Sequence, residues 1–359
     1  MVYALETEMR DYLRTMEVAT PKNKDEVRSV MQARKRDNLL AARQQLKRLE
    51  SRALSLMRRV DYTHIRPRLV HAAPKDRPLW EWCRAIVSST PFSGRVGRMN
   101  YLFCVDDHTG GIMGIVETCS DMLMLPPRDR RIGWGKQRAG KLRHIANVGT
   151  CVCVQPFGSL CGGKFQIVAA ASTVVSDAWE QKYGDRLAAL CTTSLYGESA
   201  IYNRLREWEY LGNTAGYGMF HLSEAGFVLL KRFLQQNNLA SRLNATSFVP
   251  PSRVDCLNRT CAVLGIDRES ISSHQPRGVY WCELVAGACE YLRGERDSIP
   301  KNTRRQEDVG DWWLERWYSM RLPKKRDEVL RYDWGQYKVD SQIDLCVRGA
   351  ASGTSCSPA

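Results

Sequence analysis

The chain has 359 residues, 43% hydrophobic and 26% charged, enough apolar material for a sizeable core, which excludes global disorder. Its length fits two domains, or one large domain with appendages. Lys and Arg number 53 against 39 Asp and Glu, a net charge of +14. An excess spread over so many segments points to a polyanionic partner, DNA before a membrane surface.

The 13 Cys are scattered and include no Cys-x-x-Cys pair, so no metal site is expected. No apolar leader opens the chain, and reduced thiols in a cytoplasm (the host's, if phage-encoded) are the expectation. The longest run without a charged residue, 144–163, holds four Gly and a Pro, too broken for a membrane span.

Residues 1–60 are expected to form a basic helical arm. Asn23 and Glu26 have capping-box spacing, which starts a helix near Lys24. Leu39, Ala42, Leu46, Leu49, Ala53 and Leu56 then recur at helical spacing. This seam packs on the protein's own body, or joins copies in a homo-oligomer as a short coiled coil, or belongs to a basic arm lying along DNA. Pro67, Pro74 and Pro78 mark 61–78 as a linker.

The body, 79–235, opens with a short helix over 80–88 and a Gly-containing loop carrying Arg95 and Arg98. The runs 101–105 and 112–118, joined by the turn residues 107–111, predict a β-hairpin. Residues 128–143 hold seven cations, one acid and Trp134. Then come a Val- and Cys-rich strand (145–155), a glycine loop (158–163), a helix (164–183), a strand (187–193) and a helix (199–208). Strand, glycine loop, helix, strand and helix in this order give an α/β (α+β) fold, a mixed sheet flanked by helices. Beyond it lie a mostly helical extension, 236–348, with helices over 278–293 and 311–321, and a small-residue tail, 349–359, expected to be disordered.

The loop Gly158-Ser159-Leu160-Cys161-Gly162-Gly163-Lys164 fits Gly-x-x-x-x-Gly-Lys between a strand and a helix, where amides can hold phosphate. Phe165 replaces the Ser or Thr that would hold magnesium, so ATP hydrolysis is not expected. Val154, Gln155, Gly158, Gly162, Gly163 and Lys164 are the candidate donor-binding residues, or else the glycines only permit close packing. Glu117, at a strand end, is a candidate general base. Arg95, Arg98, Arg128, Arg130, Arg131, Trp134, Lys136, Arg138, Lys141 and Arg143 are the candidate DNA contacts, cations around a stacking surface.

The order of elements, with Arg128-Asp129, Ile132-Gly133-Trp134, Asn147, Trp179, Tyr183-Gly184, Tyr202, Trp208, Leu211-Gly212 and Thr214, resembles the acetyltransferase-like GNAT fold. Within it the resemblance is to the Mom-like phage DNA-modification proteins and to the DruA family, found in anti-phage defence systems and beside transposases. The resemblance covers about 95–220. It implies acetyl-CoA or another activated acyl donor, a DNA base as target (adenine from the Mom-like group), Tyr202 as general acid and Asn147 as a shared strand residue. The acid both groups carry before the Tyr segment is matched nearest by Glu198. Leu160 stands where the pyrophosphate pattern Gln/Arg-x-x-Gly-x-Gly/Ala ends, and Pro91-Phe92 where Mom-like proteins have His-Tyr. These departures carry the alternative, a DNA-binding protein that keeps the fold without catalysis.

Overall fold

The computed structural model describes residues 2–20, 23–90, 97–134, 140–195, 197–214, 217–218, 222–239, 253–271, 273–274 and 276–352. In chain order the elements are α1 (Val2–Ala19), α2 (Lys24–Arg58), β1 (Pro67–His71), α3 (Arg77–Val87), β2 (Met99–Asp106), β3 (Ile112–Ser120) and α4 (Pro126–Ile132). Next come β4 (Ile145–Cys153), α5 (Gly162–Ala169), α6 (Thr173–Tyr183), β5 (Ala189–Ser194), β6 (Glu209–Asn213), β7 (Tyr217–Gly218), α7 (Glu224–Gln236) and α8 (Arg253–Leu264). The last are β8 (Ser273–His274), β9 (Gly278–Glu283), α9 (Ala288–Arg293), α10 (Gln306–Trp313), α11 (Ser319–Leu330) and α12 (Val339–Ser352).

Two compact units result: Met1–Val30 with Ala215–Pro276, and Met31–Thr214 with Arg277–Ala359. In the smaller unit α1, α7 and α8 bury Met9, Leu13, Leu230, Leu234 and Leu257 in one apolar cluster, and β7 pairs with β8. Ser223 caps α7 by accepting from the Gly226 amide at 3.0 Å.

The larger unit is built on a seven-stranded mixed sheet ordered β1-β2-β3-β4-β5-β9-β6. Its neighbours are antiparallel except β4 and β5, which run parallel and pair only from Ile145 to Asn147 on the β4 side. Side chains alternate across a strand, so the register separates two faces. Leu102, Val116, Leu190 and Tyr280 point to one face, where they meet Phe165 of α5, Trp179 of α6 and Trp313 of α10. The opposite face carries two separate clusters. Phe103 and Ile115 pack with Leu46 of α2 and Trp80 and Trp82 of α3; Cys191 and Trp281 pack with Ile132 of α4 and Leu292 of α9.

Several expectations hold. Asn23 Oδ1 accepts from the amides of Asp25 (3.0 Å) and Glu26 (2.9 Å), and its Nδ2 donates to Glu26 Oε1, so α2 starts at Lys24. The seam is used internally: Leu39, Leu46 and Ala53 are buried beside Trp82, with Ala42, Leu49 and Leu56 packed around them. The β2–β3 hairpin forms in register, Leu102 opposite Val116.

Others are corrected. The segment expected to be a linker supplies β1, the edge of the sheet, where Pro67 at the strand start is tolerated because an edge leaves one side unpaired. The single helix 164–183 is two, divided at Ser172, whose hydroxyl donates to the Ala169 carbonyl at 2.6 Å. Residues 199–208 form turns: the Lys164 ammonium takes the carbonyls of Ala200, Ile201 and Asn203, which a helix would spend on its own amides. Residues 278–283 are the strand β9, not part of a helix, because Val279, Tyr280, Trp281 and Cys282 are buried on both faces of the sheet. The region expected as a helical extension thus inserts a strand between β5 and β6. A π-helical turn over Leu314–Tyr318 joins α10 to α11, and α12 runs to Ser352, four residues into the expected tail.

Gly162 gives a test of this packing. A Cβ there would lie 2.2 Å from the Phe157 ring, whereas Gly to Ala in an open helix stabilises by up to about 1 kcal/mol. Gly162→Ala is expected to destabilise by about 1–3 kcal/mol, read as a lower denaturation midpoint; an unchanged or higher midpoint would contradict the close approach.

Candidate active site and nucleic-acid surface

On the face with two clusters, the central strands β3 and β4 carry polar side chains. Glu117 lies opposite Thr150, and Cys119 opposite Asn147, so Glu117, Thr150 and Asn147 line one face between the two apolar clusters. They are deeply buried, Glu117 at 2% exposure and Asn147 at 8%. The Thr150 hydroxyl donates to Glu117 Oε2 (3.4 Å) and accepts from Arg84 Nε (3.2 Å), and Arg84 also donates to the Thr90 carbonyl (2.8 Å).

Asn147 Nδ2 donates to Asp121 Oδ1 at 3.1 Å. The other Asp121 oxygen accepts from Arg128 Nη1 at 2.6 Å, while Arg128 Nη2 and Nε both donate to Asp129 Oδ1 (2.6 and 3.0 Å). The Arg128 side chain is wholly inaccessible. Burial works against its charge, but the two carboxylates outweigh that and raise its pKa. Pro126 and Pro127 open α4, a position where their missing amides cost nothing, and Gly133, at φ +82°, closes it. Burial first, then the Asp121 charge, pushes the Cys191 thiol well up, so it stays protonated.

Tyr202 lies on the other face. Its ring stacks on Tyr280 at 3.9 Å and meets Trp208 at 5.5 Å, and burial raises its pKa. The structure therefore brings Glu117 and Asn147 together and leaves Tyr202 across the sheet from them. Glu198 is exposed after β5, next to Ser199, whose amide donates to Tyr280 Oη at 2.8 Å.

The glycine loop is internally bonded. Gln155 Oε1 accepts from the Ser159 amide (2.9 Å), the Gly158 amide donates to Val154 O (3.3 Å) and the Gly162 amide to Phe157 O (3.0 Å). The amides of Val154 and Gln155 donate to Met113 O and Tyr337 Oη, both at 2.8 Å. Gly163 abuts Ile201. Lys164 Nζ donates to the carbonyls of Ala200 (2.9 Å), Ile201 (3.1 Å) and Asn203 (2.6 Å), and burial lowers its pKa.

The basic segment divides. Arg128 is inside the protein and is not a DNA contact, because two carboxylates hold it there. Arg131 bridges Glu209 (2.8 Å) and Glu283 (3.1 Å). Trp134 donates to the Leu292 carbonyl at 2.8 Å beside Arg128, and Lys141 lies over the Tyr291 ring. Arg98 and Arg143 both pair with Asp185 (2.6 and 3.1 Å), and Arg143 remains 59% exposed. Arg130 is exposed. Arg95, Lys136, Arg138 and the Pro91-Phe92 pair lie outside the described residues.

Two members of the buried row, Asp121 and Arg84, escape the sequence reading. The signal for Arg84 is its place one turn beyond Trp80 on the apolar stripe of α3; Asp121 carries none beyond following a strand. Among the described residues no group of three or more His, Cys, Asp or Glu is arranged to hold a metal ion, and no helix is long and apolar enough to cross a membrane.

Comparison with known proteins bears on the whole region. Residues 21–294 match the family model described as Druantia protein DruA. A curated relative, the Druantia protein DruA of Escherichia coli (strain UMEA 4076-1), is 26% identical over 266 residues, covering 67% of this chain. The match spans 66% of that relative, just under two thirds of its length. No solved structure matches the chain.

Arg128→Met, which leaves two buried carboxylates without their cation, is expected to cost about 3–5 kcal/mol in denaturant unfolding; a loss below about 1 kcal/mol would contradict the triad. His144 offers a pH test. Its Nδ1 meets the Arg186 carbonyl (2.8 Å) and its Nε2 the Tyr291 hydroxyl (3.1 Å), and burial lowers its pKa below the ordinary 6.5. The unfolded chain binds the proton first, so the contribution is complete above pH 6.5 and is lost as pH falls through the interval below it. The melting temperature of His144→Gln is expected to fall less over that interval than the native protein's.

Proposed function

Because the chain belongs to the Druantia protein DruA family, we propose that it is a nucleic-acid-acting transferase of the Mom-like type, with its chemistry at the Glu117–Thr150–Asn147 row. The observation that carries this reading is the position of Glu117: a carboxylate at 2% exposure on a central strand, between two apolar clusters of one sheet face. Burial of that kind serves proton transfer better than solubility does. In this reading the Glu117 carboxylate takes the proton from a base amine, adenine's by resemblance, as that nitrogen bonds to the transferred group and the bond between that group and the donor's leaving group breaks, the leaving group departing with the electron pair. Asn147, held by Asp121, orients the reacting groups. Base chemistry needs a flipped or single-stranded nucleotide, and the exposed cations Arg130 and Arg143, with the half-buried Arg98 beside Arg143 at Asp185, supply attraction for its phosphates.

Further support for a GNAT-like arrangement is the lone parallel pair in the sheet, which parts beyond Asn147 so that β4 continues to Cys153 without β5 pairing. Acetyl-CoA or another activated acyl donor is the class of donor proposed. The glycine loop does not fit its pyrophosphate, since the amides of Gly158 and Gly162 and the Lys164 ammonium are already bonded, and no step is routed through it. Among the described cysteines Cys83, Cys104, Cys191 and Cys282 are buried, and a reducing cytoplasm is the compartment proposed.

The second reading is a DNA-binding protein without catalysis. The same internal bonding of the loop favours it, as does the placement of Tyr202 across the sheet from Asn147. Mass spectrometry of nucleosides from DNA of cells expressing the protein separates the two. A new nucleoside mass, absent from the vector control, is expected. An unmodified profile combined with duplex affinity that falls steeply with salt would leave the binding reading; an unmodified profile with a flat salt response would remove both.

A further inference from the structure

Three consecutive apolar side chains stand in solvent between β3 and α4: Met122 at 40%, Leu123 at 73% and Met124 at 69% exposure. Single exposed apolar residues are ordinary, but a run of three is costly unless something covers it. The run is not a loose loop. Arg128 Nη1 donates to the Met122 carbonyl at 2.7 Å and Asp121 Oδ1 accepts from the Met122 amide at 2.8 Å. At the other end Leu125 is buried in the α4–α9 cluster, and its amide donates to Asp129 Oδ2 at 3.4 Å. The buried triad thus pins both ends of the segment and leaves its three side chains pointing outward.

The triad at the base of the tip carries one net negative charge, two carboxylates against Arg128, and the cations around it outnumber that. Ser120, two residues before Met122, exchanges bonds with Arg98 (amide to Arg98 O, 2.9 Å; Oγ from the Arg98 amide, 3.0 Å). Arg98 and Arg143 share the single carboxylate Asp185, so a positive charge is left over. Lys182 Nζ, donating to the Met99 carbonyl, adds another, and Arg130 lies on α4 just beyond the tip.

We infer that residues 122–124 are a wedge that enters a nucleic-acid duplex and unstacks a base step beside the Asp121–Asn147 end of the polar row. The inference rests on the nucleic-acid reading above and deepens it. Apolar side chains pushed between base pairs cost unstacking energy and are offset by contacts to the distorted backbone; here the cations beside the tip meet the phosphates on either side. An anionic lipid surface would also cover such a tip, and the test separates the two.

The probe is a DNA duplex with a central 2-aminopurine, whose fluorescence rises when it leaves the stack, together with fluorescence anisotropy for binding. The native protein is expected to raise the 2-aminopurine signal several-fold. The triple variant Met122→Ser, Leu123→Ser, Met124→Ser is expected to keep the native melting temperature and the salt-dependent anisotropy but to lose most of that rise. Duplex binding by the native protein with a flat 2-aminopurine signal overturns the wedge and leaves the nucleic-acid reading standing. A triple variant that still unstacks the probe also overturns it, as does tip-dependent capture of anionic vesicles without unstacking. Absence of duplex binding overturns both.

Discussion

The guanidinium of Arg128, wholly buried between Asp121 and Asp129, is the constraint on which the candidate site depends. One side chain joins the end of β3, the start of α4 and, through Asp121, the Asn147 amide on β4. Taking three charges out of water is expensive, and replacing such a cluster with apolar side chains is often neutral or stabilising. Its presence at the end of the polar row is therefore better explained by what it positions than by the stability it contributes. It holds the Asn147 amide at one end of the polar row, and it fixes a segment whose side chains point away from the protein.

The sheet separates roles that the linear sequence mixes. Glu117, Thr150 and Asn147 share one face because β3 and β4 pair in a register that puts Glu117 opposite Thr150. Tyr202 shares the other with Tyr280 and Trp208, an aromatic cluster around a tyrosine whose burial keeps it protonated. Lys164 belongs with this second group. Its ammonium satisfies three carbonyls of the 200–203 turn, work that a helix would have done by itself and that a nucleotide-binding lysine leaves undone.

Local patterns were legible in the sequence where local chemistry decides them. The Asn23 cap, the seam of α2, the β2–β3 hairpin and the strand β4 all follow from spacing over a few residues. What was not legible depends on partners distant in the chain. Whether 199–208 is a helix turns on Lys164, 35 residues earlier; whether 278–283 is a strand turns on its fit between β5 and β6. Arg128 and Arg130 look alike in a run of cations, yet Arg128 faces two carboxylates inside the protein and Arg130 faces solvent. The candidate site was half legible: Glu117 and Asn147 are named from strand position and from resemblance, whereas Asp121 acquires meaning only through the β3–β4 pairing and Arg84 only through the packing of α3 on that face.

We propose that the chemistry belongs to the Glu117 face of the sheet and not to Tyr202. The most direct measurement compares Glu117→Gln with Tyr202→Phe, each isosteric and each checked for native melting, by the amount of modified nucleoside in DNA from expressing cells. Glu117→Gln is expected to abolish the new nucleoside while Tyr202→Phe leaves it near the native level. Loss in Tyr202→Phe with retention in Glu117→Gln would contradict it and return the reaction to the opposite face.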